Sequence, residues 1–154
     1  MIPRNYIIGL FLTCSILSCK PLYIIKPYDG PEVLEFTKLC ELDQVKTGTM
    51  ITTIAYYTGV EEYWGLTTNT KCELDHHVYL NTEKLYQQKL NTKLNRKLDN
   101  LYNNYWKYSF KMEITGRVDK SEQELGYGHL GLNKIQITPY QIRILGKEKI
   151  YTNE

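Results

Sequence analysis

The chain has 154 residues, with 19 lysines and arginines against 17 aspartates and glutamates, a formal net charge of +2. That length fits one domain, and the near-neutral balance lacks the basic excess usual in a nucleic-acid binder.

Residues 1–5 carry one positive side chain, Arg4, and residues 6–17 form an apolar run without charge, closed by Ser18 and Cys19. A short positive segment, an apolar segment of this length and a small residue before the cut describe a secretory signal, too short to span a bilayer. The quartet Ile16-Leu17-Ser18-Cys19 resembles a bacterial lipobox, whose cysteine becomes the lipidated first residue of the mature chain. Residues 1–18 are therefore expected to be a cleaved lipoprotein signal peptide and Cys19 a lipidation site; the alternatives are a membrane anchor or an ordinary cleaved signal. Lys20 after it, in place of Asp, points to an outer membrane, on its periplasmic or surface face. Cys14 lies inside the apolar run, where Phe11 and Thr13 make a poor lipobox, and leaves with the signal. Losing Arg4 leaves 18 basic residues against 17 acidic, a formal +1. Cys40 and Cys72 remain, an even number in an oxidising compartment, and are expected to form a disulfide.

Residues 19–31 hold three prolines and a glycine and read as a tether. Residues 32–42 suit a short helix or an extended lead-in ending near Cys40. Residues 44–57 are rich in Thr, Ile, Tyr and Val and read as a long strand. Its alternation is imperfect, with Met50, Ile54 and Tyr56 on one parity and Ile51, Ala55 and Tyr57 on the other. Gly48 suits a bulge or a close backbone approach. After a tight turn at 58–62, residues 63–70 form a second strand with Trp64 and Leu66 on one face, and 76–80 a short third.

The period then changes. Leu90, Leu94, Leu98, Leu101 and Tyr105 recur at helical steps, so a helix is expected over about 82–104, with Lys89, Lys93, Arg96 and Lys97 on a solvated outer side. Its asparagines are mediocre helix formers. Residues 108–118 return to period two: Tyr108, Phe110, Met112 and Ile114 face inward, and Ser109, Lys111 and Glu113 outward. A loop with three glycines follows. The last strand, 132–145, flips phase at Thr138-Pro139, where a bulge would tolerate the proline and shift the register. Residues 148–154 read as a polar tail.

Three strands, a helix and two strands (β-β-β-α-β-β) is the element order of the five-stranded Greek-key barrel called the OB-fold, mainly β with one helix. A split βαβ sandwich competes, but a long bent first strand and the phase flip favour a small barrel closed by bulges. Residues 32–147 are accordingly assigned to one OB-like domain behind the signal peptide.

The spacing of Leu39-Cys40-Glu41-Leu42, the strand 45–57, the Glu61-Glu62 turn, Leu66 and Cys72 resembles a group of small, largely uncharacterised bacterial OB-like proteins. In these, cysteines before the first strand and after the second bracket a Val-x-Val-x-Gly-x-Tyr-like strand. Gly116 and the run Gly126-Tyr127-Gly128-His129-Leu130-Gly131 resemble the group's second half. This chain departs from the pattern at Ile54-Ala55-Tyr56-Tyr57 and in its longer, Asn-rich helical stretch. The composition resembles that of Bacteroidota lipoproteins. The resemblance implies fold and address and carries no activity.

Candidate ligand-contacting residues are Tyr56, Tyr63 and Trp64 of the first hairpin and Tyr127 and His129 of the glycine-rich loop. OB-folds bind through that part of the sheet and that loop, and aromatic rings stack bases or sugars. The same rings also fill small cores, and the glycines also serve simply as turn formers. No metal or cofactor is expected. Adjacent His76 and His77 point to opposite faces of a strand, so at most one could join His129. The two paired cysteines lack the setting of a nucleophile, and Glu61-Glu62 is an ordinary solvated turn. The expected function is a membrane-anchored, non-enzymatic OB-like lipoprotein that binds an envelope protein or glycan, not nucleic acid. The alternative is a structural subunit of an envelope complex with no small ligand.

Overall fold

The computed structural model describes residues 20–27, 36–69, 72, 74, 78–87 and 91–150. The expected signal peptide, the lipidation site Cys19, His76, His77 and the last four residues lie outside the described residues.

The described strands are β1 (Leu22–Ile24), β2 (Met50–Val60), β3 (Tyr63–Thr67), β4 (Val78–Leu80), β5 (Tyr108–Lys120) and β6 (Ile135–Lys149). Helices α1 (Glu83–Gln87) and α2 (Thr92–Tyr102) separate β4 from β5. The sheet runs β1-β6-β4-β3-β2-β5, and an additional β5–β6 pairing closes it. The closed ring β2-β3-β4-β6-β5, with β4 and β6 parallel and the other pairs antiparallel, is the OB-like barrel expected from the element order.

Strict alternation puts Ile51, Thr53, Ala55 and Tyr57 of β2 inside, while Met50, Thr52, Ile54 and Tyr56 are partly exposed. β5 contributes Phe110, Met112, Ile114 and Val118 to the core, and β6 contributes Ile135, Ile137, Ile142 and Ile144. The phase flip in β6 is a bulge: Gly116 pairs with Pro139 and Thr115 with Gln141, so Tyr140 is the extra residue that the β5 register skips. Gly116 is needed there, because a Cβ would come within 2.6 Å of the Thr138 carbonyl oxygen and 2.8 Å of Ile137 Cγ2. Pro139 lacks an N–H and is tolerated at such an irregularity. A second register shift, between Lys111 and Met112, bends the strands again.

The helical stretch is interrupted. Asn91, extended at φ −147, caps α2 by accepting a hydrogen bond from the Leu94 N–H at 3.1 Å. An asparagine that is mediocre inside a helix is among the best residues at its start. Leu94, Leu98 and Leu101 are fully buried and carry the expected stripe into the core.

Four sequence expectations are corrected. The strand expected from 44 begins at Met50, because residues 41–49 form turns closed by Gln44 N–H to Glu41 O, Val45 N–H to Leu42 O and Thr49 N–H to Lys46 O. Gly48 supplies a positive φ of 87° to these turns, and open space surrounds it. The segment 19–31 is no simple tether: Leu22–Ile24 pairs with Arg143, Ile142 and Gln141 of β6, and Tyr23 is buried. β4 covers only residues 135–137 of that β6 edge, so β1 satisfies backbone groups left open beyond it. The tail begins later than 148, since Ser109 pairs with Glu148 and Tyr108 with Lys149. That added neighbour accompanies the burial of Ser109, which parity placed outside.

Cys40 and Cys72 form a disulfide with Cα atoms 5.8 Å apart. The ends of the β2–β3 hairpin do not meet, because Thr67 lies opposite Tyr56 in the middle of β2. The lead-in provides the route: Phe36 bridges Thr52, and the 3-10 turn Leu39–Glu41 then brings Cys40 toward the β3–β4 connection. Closing a loop of this length should stabilise the fold by about 3–4 kcal/mol on the chain-entropy estimate. The double variant C40S/C72S is expected to lose that amount in urea unfolding while keeping its strand signal by circular dichroism. An unchanged midpoint would show that the bridge contributes nothing to stability.

Candidate functional site

The β2–β3 turn has two residues, with Val60 opposite Tyr63 and Glu61 at φ 50°. Gly59 packs against the returning strand, where a Cβ would lie 2.3 Å from the Tyr63 carbonyl oxygen. The indole of Trp64 donates from Nε1 to the Glu61 carbonyl at 2.7 Å, which fixes its orientation. Beneath it, Trp64 meets Tyr102 of α2 edge-on with ring centroids 4.4 Å apart, and Tyr57 at 5.3 Å. The hydroxyls of Tyr57 and Tyr102 are hydrogen-bonded at 2.9 Å. Trp64 is thus the top of an aromatic column that extends into the barrel.

The β5–β6 loop approaches this turn from the other side. Its glycines serve the loop itself: Gly126 N–H donates to the Gly131 carbonyl, and Tyr127 and Asn133 exchange backbone hydrogen bonds in both directions. A Cβ on Gly126 would lie 2.0 Å from the Asn133 carbonyl oxygen. Leu130 is held at φ 54°. This compact loop presents His129 to the hairpin, where its Nδ1 lies 3.2 Å from Glu62 Oε2 and its ring meets Tyr63 edge-on at 4.9 Å.

Between the two loops lies a groove of about 550 Å³. Its aromatic wall consists of Tyr63, Trp64, Tyr105 and Trp106, and its aliphatic rim of Val60, Leu132 and Ile150. Thr58, His129 and Asn133 supply the polar lining. Val60, Tyr63, Trp106, Leu132 and Ile150 are exposed, which concentrates apolar surface in one concave place.

Three of the five candidate residues, Tyr63, Trp64 and His129, converge on the groove. Two do not. Tyr56 lies on the outer face of β2 under the Lys111 ammonium, 5.6 Å from the ring centroid. Tyr127 lies in a separate shallow depression with Lys120 and Leu125, its phenol pKa pushed up chiefly by burial and secondarily by Asp119. Tyr105, expected on the helical stripe, lies in a turn beyond the end of α2 and lines the groove beside Trp106; neither was among the candidates. Among the described residues, no group of three or more His, Cys, Asp or Glu side chains is arranged to hold a metal. No helix among them is long and apolar enough to cross a membrane.

The tyrosines below the groove make the fold sensitive to alkali. Burial, helped by Tyr102, raises the Tyr57 phenol well above its ordinary value. Burial, with Glu83 next, pushes Tyr79 up to about 12. Tyr86 rises for the same first reason, followed by Tyr102. A raised folded-state pKa means that the unfolded chain releases these protons first, near pH 10. Their contribution is therefore complete below about pH 10 and is lost as the pH rises toward 12 and beyond. Urea midpoints are expected to fall between pH 8 and pH 11.5, and less steeply in Tyr57→Phe. Equal slopes in the two proteins would contradict the assignment to Tyr57.

Compared with protein-family models, with curated proteins and with solved structures, the chain finds no match.

Proposed function

We propose that this chain is an exported, lipid-anchored, non-enzymatic OB-like domain that binds an envelope protein or glycan in the groove between the β2–β3 turn and the β5–β6 loop. The observation that carries this reading is the exposed aromatic and aliphatic lining at the two loops through which OB-folds take ligands. The rings of Tyr63 and Trp106 suit the apolar face of a sugar. Val60, Leu132 and Ile150 add aliphatic surface that suits an apolar side chain, and so favour a protein segment. The same exposed surface supports the second reading, a structural subunit whose groove is permanently covered by its neighbour in an envelope complex.

Pull-downs from detergent-solubilised membranes with the wild-type protein, Trp106→Ala and Val60→Asp separate these readings, alongside sedimentation of the purified domain with peptidoglycan. Loss of a central interface Trp typically costs 2 kcal/mol or more, so retention should drop by at least roughly thirtyfold in Trp106→Ala. A stoichiometric protein that resists exchange supports the subunit, and an exchangeable protein or glycan supports the binder. Equal retention by all three proteins would remove the groove from the account. The anchor is tested separately by fatty-acid labelling, which Cys19→Ala should abolish.

A further inference from the structure

A second concave surface, of about 960 Å³, lies where the N-terminal segment meets α2 and the far part of β6. Five cationic side chains line it: Lys20, Lys93, Arg96, Lys97 and Lys147. Tyr23, Phe110 and Ile144 supply apolar floor. No carboxylate belongs to the lining, and among the described residues none of the five cations is ion-paired. Three of the ammonium groups meet rings or a carbonyl instead. Lys147 Nζ sits 4.1 Å from the Tyr108 centroid and Lys97 Nζ 5.8 Å from that of Tyr23, while Lys20 donates to the Leu145 carbonyl. In a chain of formal charge +2, five cations on one face make a strong local asymmetry.

The position of this face matters as much as its charge. β1 begins at Leu22 and is hydrogen-bonded to β6, so only Lys20 and Pro21 separate Cys19 from the barrel. Consecutive Cα atoms are about 3.8 Å apart, so the Cα of Cys19 lies one such step from that of Lys20, itself part of the cationic face. A lipid on Cys19 leaves the domain no slack to stand away from the bilayer. The cationic concavity then abuts the headgroup layer.

We propose that this face is a docking surface for the anionic, net negatively charged phosphate headgroups of the membrane that holds the anchor. Its orientation rests on the reading of Cys19 as a lipidation site; its chemistry rests on the five cations. The ammonium and guanidinium groups meet lipid phosphates, and the apolar floor accommodates the glycerol region next to them. Beside an anchor, each cation near an anionic surface adds about 1 kcal/mol of attraction, which orients the domain as well as holding it.

The test uses residues 20–154, which hold every described strand and helix and carry no lipid. Their co-sedimentation is compared on phosphatidylcholine vesicles with and without phosphatidylglycerol. Binding is expected only with the anionic lipid and should weaken steeply with salt. The variant K93Q/R96Q/K97Q should bind on the order of a hundredfold more weakly, while K38Q/K46Q/K134Q, changed elsewhere, should bind as wild type. Circular dichroism confirms that both variants fold. Equal binding to neutral vesicles, no binding to anionic ones, or an unchanged triple variant would overturn the proposal. So would inorganic phosphate or single-stranded DNA held as tightly as the vesicles. Because this protein begins at Lys20, a failure of fatty-acid labelling at Cys19 removes the anchor alone and leaves the vesicle result to decide the face.

Discussion

Strand β6 hydrogen-bonds to β5 along its length, and its other edge is shared in turn by β4 and β1. Among the described strands, no other pairs with three neighbours. A strand of fifteen residues can do this only if it bends, and the bulge at Tyr140 and the register shift near Leu145 supply the bend. The Tyr140 bulge needs Gly116 opposite, because any side chain there would collide with the Thr138 carbonyl. The bulge also frees the Tyr140 carbonyl to accept hydrogen bonds from the Ile25 and Lys26 N–H groups, which fastens the N-terminal segment. Barrel closure and the docking of residues 22–26 thus share one irregularity.

The two surfaces proposed for function both follow from that closure. At one end, β6 returns the β5–β6 loop to the β2–β3 turn, so that His129 reaches Glu62 and Tyr63 and a groove opens beside them. Elsewhere along the strand, β1 brings Lys20 beside Lys147 of β6 and the cations of α2. The groove is apolar and suits a partner; the other face is cationic and suits phosphates. The two proposals are compatible, because they use different surfaces of the barrel.

Much of this was legible in the sequence, where a repeating physical demand wrote it. Clean alternation over 108–118 marked a half-buried strand, and the switch between Ile137 and Ile142 marked the bulge. The expected pairing of Cys40 with Cys72 is present, although the route that joins them was not visible in the sequence. What stayed hidden depended on distant neighbours. Residues 22–24 look like linker because three residues carry no period; they become a strand only where β4 stops short on β6. Gly48 read as a bulge or a close backbone approach, yet open space surrounds it and its positive φ belongs to the turns before β2. Tyr56 and Tyr127 share the chemistry of Tyr63, and composition cannot tell an outer face from a groove. Tyr105 and Trp106 reach the site because α2 packs its leucine face against the barrel, with its C-terminal end near β3.

The account depends on closure that brings the β5–β6 loop against the β2–β3 turn. Proton NMR of the folded domain measures this directly, through nuclear Overhauser contacts between the His129 and Tyr63 rings and between backbone protons of the β4 and β6 residues around Val78 and Ile135. The account predicts both sets, since the rings lie 4.9 Å apart and the two strands pair in parallel. If the β4–β6 contacts are missing, the barrel is open; if only the ring contacts are missing, the groove is not assembled as described. Either result would contradict it.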